Sequence, residues 1–330
     1  MKQNLSLAIC SLIFCFVVAE TVLRIISPKS PPGTTYGKVI KLNSDGYRDK
    51  EFVIPKPKNK YRILFLGDSY TWGIGLDLID ILPKQLEQVL KKDFNNIEIV
   101  NAAEPGSNTV EQLIRLKQSG LKYEPNLVVL VYDLNDIEFK SEIAINKDGV
   151  SDSDRYTLNY YGRNFDIREI IARFQEYSYF VNFLVPRIGA ILRKAGMDSL
   201  ELSGVQRMFQ GFIDTNPGWI ESKMALRELS NVCKDNGIKF MVVIYPLLVD
   251  LDNYEGYKAH KAIADYCNSL DVPVIDLINI FKNKKVVKLQ INYMDGHPNK
   301  EAHKLVVSKI LPIIKNHLPS TLCRRQVKIK

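Results

Sequence analysis

Short, almost uninterrupted apolar runs recur along this chain, and amphipathic stretches separate them. Arg62–Leu66 (RILFL), Leu127–Tyr132 (LVVLVY) and Phe240–Tyr245 (FMVVIY) are each too short for a helix and too apolar for a strand with one wet face. Such runs suit parallel strands covered on both faces. Ile97–Val100, closed by Asn101, and Val274–Leu277 read as two further strands. Between and after them, Leu82–Lys92, Thr109–Gln118, Met224–Cys233, His260–Leu270 and Ala302–His317 have helical spacing. Thr109-Val110-Glu111-Gln112 reads as a capping box opening the second of these helices. Strands alternating with helices predict an α/β fold built on a parallel sheet.

The alternation breaks between Ile137 and about Gly218. Helical patches at Ile167–Phe174 and Val185–Lys194 flank the apolar, aromatic stripe Tyr177–Leu184. This segment is expected to be a helical insertion, either covering the site or forming an ordinary packed subdomain. Residues 27–37 are rich in Pro, Ser and Gly and read as a linker. Leu42-Asn43-Ser44-Asp45-Gly46-Tyr47-Arg48 is expected to form a turn with a short strand. The chain therefore divides into an N-terminal segment (1–27), a linker and extension (28–60), the first part of the sheet domain (61–136), the insertion (137–218), the second part (219–320) and a basic tail (321–330).

At the N-terminus, Lys2 precedes the uncharged run Leu5–Ala19, the pattern of an export signal. Two readings stand. Val17-Val18-Ala19 offers a cleavage site, which would release a secreted or periplasmic protein. Alternatively, a helix from Leu5 to Ile26 would nearly span a bilayer core of about 30 Å, with Glu20 and Arg24 paired at i, i+4 near its far end and the body outside the cytoplasm. Composition narrows the remaining classes. The net charge of +8 is spread along the chain apart from the short tail, so it describes a solvated surface and points to no nucleic-acid partner. The five cysteines show neither CxxC spacing nor regular intervals, which excludes a zinc ribbon or a disulfide-dense scaffold; one pairing among Cys233, Cys267 and Cys323 stays open.

In an open parallel sheet, ligands bind at the carboxyl ends of the strands. Four polar loops are expected there: Gly67-Asp68-Ser69, the stretch from Asn101 to Thr109 containing Gly106, Asp133-Leu134-Asn135-Asp136, and Asp295-Gly296-His297-Pro298-Asn299. A serine hydroxyl needs a base to become a nucleophile. A histidine supplies that base near neutral pH, and a carboxylate holds its tautomer. Ser69, His297 and Asp295 are therefore the candidate catalytic residues. The Ser69 amide, the Gly106 amide and the Asn135 side chain are the candidate oxyanion donors. Asp295 and His297 are expected to share an irregular loop. Asp68 reads as a turn or cap residue, Trp72 as pocket lining or core, and His260, His303 and His317 as packing or surface residues. No metal or cofactor is required by these residues.

These four blocks, in order and spacing, resemble those of the SGNH/GDSL hydrolases. Gly67-Asp68-Ser69 within the string GDSYTWGIG matches the first block, Gly106 the second, Asn135-Asp136 the third, and Asp295 with His297 the last. The resemblance covers roughly Tyr61–His317 outside the insertion. It implies a flavodoxin-like three-layer α/β/α sandwich and esterase chemistry through an acyl-serine. Asp133 stands where the third block usually has glycine, and Asp-x-His replaces the common Asp-x-x-His, a form that resembles relatives in polysaccharide acylation. The Ala19-Glu20-x-x-Leu23-Arg24 and Asn43–Arg48 segments resemble membrane-linked members. The resemblance thus implies an esterase, or O-acetyltransferase, acting on acylated small molecules or cell-envelope carbohydrate. The alternative is a non-catalytic, membrane-anchored glycan-binding or scaffold component.

Overall fold

The computed structural model describes residues 2–26, 34–35, 38–138, 145–146, 149–150, 178, 180, 204–292, 295–319 and 322. The chain forms two compact units. One comprises residues 1–39 and 155–203, the other residues 40–154 and 204–330.

The larger unit holds five parallel strands: β1 (Tyr61–Leu66), β2 (Ile97–Asn101), β3 (Leu127–Tyr132), β4 (Lys239–Ile244) and β5 (Val274–Asp276), in the order β2-β1-β3-β4-β5. Ile63 pairs with Ile99 on one side and Leu127 on the other, and Val128 pairs with Phe240. Ile63 through Leu66 and Leu127 through Leu130 are fully buried. Each such side chain contributes about 1.5–3 kcal/mol when removed from water, which is why these segments are strands covered on both faces.

Connection handedness sets the layers. Leu82–Asp93 (α1) links β1 to β2 outward in one direction. Thr109–Arg115 (α2), Pro217–Asp235 (α3) and Tyr257–Ser269 (α4) precede β3, β4 and β5 and run the opposite way. Right-handed crossovers place those two sets on opposite faces. Consistent with this, α2 packs on α3, whereas the closing helix α5 (Lys300–His317) packs on α1. The result is the expected α/β/α sandwich, with the strand order of flavodoxin-like sheets.

Several boundaries differ from the sequence expectation. The cap of α2 is Asn108, whose side chain accepts from the Glu111 amide at 3.0 Å while Glu111 accepts from the Asn108 amide at 2.9 Å. Gln112, expected in the box, instead donates to Asp136 Oδ1 at 2.8 Å. α3 starts seven residues earlier than its apolar pattern, because Asn216 caps it and Pro217 opens it. Asn43–Asp49 forms turns without a strand, and Asn43, Tyr47, Arg48 and Asp49 are buried against the sheet domain. Cys233 and Cys267 are buried, unpaired thiols, and burial pushes each up to about 12. Cys323 lies outside the described residues.

In the smaller unit Lys2–Ile26 is helical. The expected Glu20–Arg24 pair is present at 2.6 Å, and Glu20 also accepts from Ser178 Oγ and the Phe180 amide, each at 2.9 Å. Among the described residues no helix is long and apolar enough to cross a membrane. The spanning anchor expected over Leu5–Ile26 has no support there; the side chains of residues 1–10 lie outside the described set. The helical patches expected at 167–174 and 185–194 also lie outside the described residues, as does the 177–184 stripe apart from Ser178 and Phe180.

Candidate active site

The strand order reverses direction between β1 and β3, and the crevice at their carboxyl ends is where doubly wound sheets bind ligands. β1 ends in Gly67-Asp68-Ser69 and β3 in Asp133-Leu134-Asn135, so the fold places the first and third blocks side by side. Ser69 opens a single helical turn, Ser69–Trp72. Asp68 caps it by accepting from the Tyr70 amide at 2.8 Å, the role expected of it. Gly73 closes the turn in the left-handed region at φ 84°, and a Cβ there would stand 2.2 Å from Ile81 Cγ2. The Arg48 guanidinium lies over the Trp72 ring and donates to the carbonyls of Trp72, Gly73 and Leu76. These carbonyls lie at and just beyond the end of the turn; that of Gly73 also accepts from the Leu76 amide at 3.3 Å. Arg48 is almost wholly buried, which lowers it to about 10. Sequence reading noted Arg48 only within a family-like string. Its place as a clip on the Ser69 turn, across 24 to 28 residues, has no local signature.

The last block is not an irregular loop. Asp295–Pro298 (β7) pairs antiparallel with Gln290–Asn292 (β6), just before α5. Residues two apart on a strand point to the same side, and this explains how the shorter Asp-x-His spacing functions. Asp295 Oδ1 lies 2.5 Å from His297 Nδ1 and accepts from the His297 amide at 2.9 Å. Because an ionised carboxylate only accepts, Nδ1 carries the hydrogen and the Nε2 lone pair is left facing outward. Nε2 stands 2.9 Å from Ser69 Oγ. The Tyr70 ring meets the imidazole edge to face, centroids 5.6 Å apart. Asn299 fastens the hairpin to α5. Its side chain caps the helix through the Glu301 and Ala302 amides and donates to the carbonyls of Lys288 and Gln290.

Gly106 lies in the β2–α2 loop at φ 72°, a left-handed conformation natural to glycine. That loop is tied to the nucleophile turn: the Glu104 amide and Ser107 Oγ donate to the Gly67 carbonyl at 3.0 and 3.3 Å. Asn135 Nδ2 donates to Asp68 Oδ2 at 3.0 Å, the same oxygen that lies 2.9 Å from Ser69 Oγ. The structure thus gathers Ser69, His297, Asp295 and Asn135 into one hydrogen-bonded set, with the Gly106 loop pinned beside it.

Around the set lie groups to which the sequence assigns no part in the chemistry. Asp133 is fully buried, and burial together with the nearby Asp68 charge raises its carboxyl well above the usual carboxylate range. Asp136 is raised for the same two reasons, although Gln112 and the Asp133 amide donate to it. His303 is fully buried with neither nitrogen hydrogen-bonded, and burial lowers it to about 3. His260, read as unremarkable, joins Asp276 and Tyr254 in a hydrogen-bonded chain at 2.8 and 3.0 Å, buried at His260 and Tyr254 and half-buried at Asp276, removed from Ser69 in sequence and strand position. Among the described residues no group of three or more His, Cys, Asp or Glu is placed to hold a metal ion.

The chain is similar in fold to the crystal structure of TesA (13% identity, 78% of this chain and 99% of that one, TM-score 0.46). It is also similar to the psychrotrophic esterase EstA from Pseudoalteromonas sp. inhibited by monoethylphosphonate (16%, 78% and 98%, 0.44), and to a two-domain esterase active on acetylated mannans (13%, 78% and 49%, 0.45). A curated relative, an uncharacterized protein of Mycoplasma pneumoniae (strain ATCC 29342 / M129 / Subtype 1), is 40% identical over 90 residues, which span 26% of this chain and a tenth of that protein. The family model of the GDSL-like Lipase/Acylhydrolase family matches residues 65–305, from the end of β1 to the first half of α5, and the chain belongs to that family.

Proposed function

We propose that this protein is an acyl-serine esterase in which Ser69 is the nucleophile, His297 the general base and acid, and Asp295 the group that orients His297. The 2.9 Å approach of His297 Nε2 to Ser69 Oγ, with Asp295 behind the imidazole, carries the reading. Ser69 Oγ attacks the acyl carbonyl carbon and its proton passes to Nε2. The tetrahedral intermediate collapses, the ester C–O bond breaks, and the alkoxide leaves with that proton. A second hydroxyl, from water or a sugar, then attacks the acyl-serine. Its proton passes through His297 back to Ser69 as the acyl group departs. The Ser69 amide, the Gly106 amide and the second hydrogen of Asn135 Nδ2 are the donors assigned to the developing oxyanion. Loss of one such donor costs about 3–4 kcal/mol of barrier stabilisation.

The substrate we assign is an O-acyl group, acetyl foremost, on cell-envelope carbohydrate. The export-like segment after Lys2 supports this, with a body carried out of the cytoplasm and either retained by that segment or released from it. The short Asp295-x-His297 block supports it too, through its likeness to polysaccharide-acylating relatives.

The test is a fluorophosphonate probe with mass spectrometry, run beside a screen of short acyl esters and acetylated glycans. Label at Ser69 is expected, with Ser69→Ala and His297→Ala slower by at least about a thousandfold. A folded wild-type protein that takes no label, and a Ser69→Ala variant as active as wild type, would refute the assignment. Oligosaccharide binding without turnover, indifferent to His297→Ala, would instead favour a scaffold.

A further inference from the structure

Asp68 Oδ2 serves both Ser69 and Asn135, and what steadies Asp68 is the open question. Its other oxygen takes the Tyr70 amide. The remaining neighbour is Asp133, which caps the turn Leu134–Ile137 and has Oδ1 occupied by the Asn135 amide at 2.9 Å. Its Oδ2 is buried and meets no donor, yet Asn135 ties the two carboxyls together, its amide donating to Asp133 Oδ1 and its Nδ2 to Asp68 Oδ2, and the Asp68 charge is among the causes that raise Asp133. Two buried carboxylates in contact repel, and no donor compensates the free oxygen of Asp133. One proton between the two carboxyls resolves both problems, as in any pair of touching acids.

The proton belongs on Asp133, whose Oδ2 meets no donor. Both Asp68 oxygens already accept: Oδ1 from the Tyr70 amide, and Oδ2 from Ser69 Oγ and Asn135 Nδ2. The titratable groups that act on Asp133 are Asp68 and Tyr70 from the nucleophile turn, Asp136 from its own turn, Tyr245 at the end of β4 and Tyr254 from the loop beyond it. All are acids, so none favours a negative charge there. The raised carboxyl of Asp133 agrees with this placement.

We propose that Asp133 is a neutral, proton-donating positioning residue: its carboxyl hydrogen goes to Asp68 and fixes that carboxylate where it holds Ser69 Oγ and turns the Asn135 amide toward the oxyanion. The proposal rests on the acyl-serine reading above. It gives the residue that replaces the family's usual glycine a role that glycine cannot fill.

The experiment pairs two measurements on wild type, Asp133→Asn, Asp133→Gly and Asp136→Asn, each checked for native circular dichroism. Infrared spectroscopy near pH 7 is expected to show a protonated carboxyl stretch, shifting in deuterated water, in wild type and Asp136→Asn but not in Asp133→Asn. Asparagine keeps a donor and a capping oxygen. Its rate of Ser69 labelling by the fluorophosphonate should therefore stay within about threefold of wild type, whereas Asp133→Gly should slow by at least about tenfold. The proposal is overturned by a wild-type spectrum without the band, by a band that survives in Asp133→Asn, or by Asp133→Gly labelling at the wild-type rate. A labelled Ser69 without the band defeats Asp133's role alone. A band without any label at Ser69 defeats the acyl-serine reading, and the positioning role with it.

Discussion

Ser69 has one proton and two acceptors at equal distance, His297 Nε2 and Asp68 Oδ2, both 2.9 Å away. In the mechanism we propose only the bond to His297 leads to chemistry, so whatever holds Asp68 influences how often the hydroxyl is poised. His303, one turn into the closing helix and also fully buried, has a different consequence. It stays neutral in the folded protein down to about pH 3, whereas an unfolded histidine takes a proton near 6.5. The folded-state value is depressed, so its contribution to stability is complete above pH 6.5 and is lost as the pH falls from there toward 3. The loss is about 1.4 kcal/mol per pH unit. His303→Leu removes two unsatisfied buried nitrogens and this acid sensitivity together. Urea titrations should find the variant within about 1 kcal/mol of wild type, or better, at pH 7.5. Its advantage should then widen steadily between pH 6.5 and 5. A constant difference across that range would contradict the account.

The nucleophile turn and the β6–β7 hairpin each depend on a distant side chain. Four residues cannot sustain a helix by themselves. The turn Ser69–Trp72 persists because Asp68 closes its start and Arg48 closes its end. Replacing Arg48 with methionine fills similar space but leaves the Trp72 and Leu76 carbonyls without that donor and Gly73 with the Leu76 amide alone, at about 1–3 kcal/mol for each buried group left unsatisfied. We expect Arg48→Met to lose about 2 kcal/mol of stability or more, read as a lower urea midpoint at unchanged slope. Arg48→Lys should not restore it, since one ammonium lacks the planar fork that reaches several acceptors. Restoration by lysine would show that charge, not geometry, is what the turn requires. In the hairpin, two-residue periodicity brings Asp295 and His297 to one side, and Asn299 joins that strand to α5.

The two compact units divide the chain in a way that leaves the chemistry in one of them. Every residue of the candidate site lies within 40–154 or 204–330. Within that unit the segment after β3 returns to the start of α3, where Gly218 meets Ile137. A Cβ on Gly218 would stand 1.8 Å from the Ile137 carbonyl oxygen. Asn108 holds the neighbouring Glu138 carbonyl at 2.9 Å. The sheet domain therefore closes its own perimeter at the base of the insertion. A chain lacking residues 1–39, with 155–203 replaced by a flexible Gly/Ser linker, should keep one cooperative thermal transition and retain labelling at Ser69. A broadened, non-cooperative melt would show that the sheet domain needs the smaller unit to fold.

Apolar runs and helical spacing were enough to read the parallel sheet and its five strands, and the four polar blocks singled out Ser69, His297, Asp295 and Asn135, which the fold brings into one hydrogen-bonded set. These are patterns that local sequence carries, because burial on two faces demands continuous apolar strands and a switch-point crevice demands polar loops at their ends. Asp133 was visible as a departure, but its meaning was not. That meaning depends on Asp68 standing beside it from another strand, 65 residues away, in a place from which water is excluded. The same holds for Arg48 clipping the nucleophile turn and for His303 buried without a partner. Charge, desolvation and hydrogen-bond satisfaction depend on neighbours in space, and those neighbours exist only after the chain has folded.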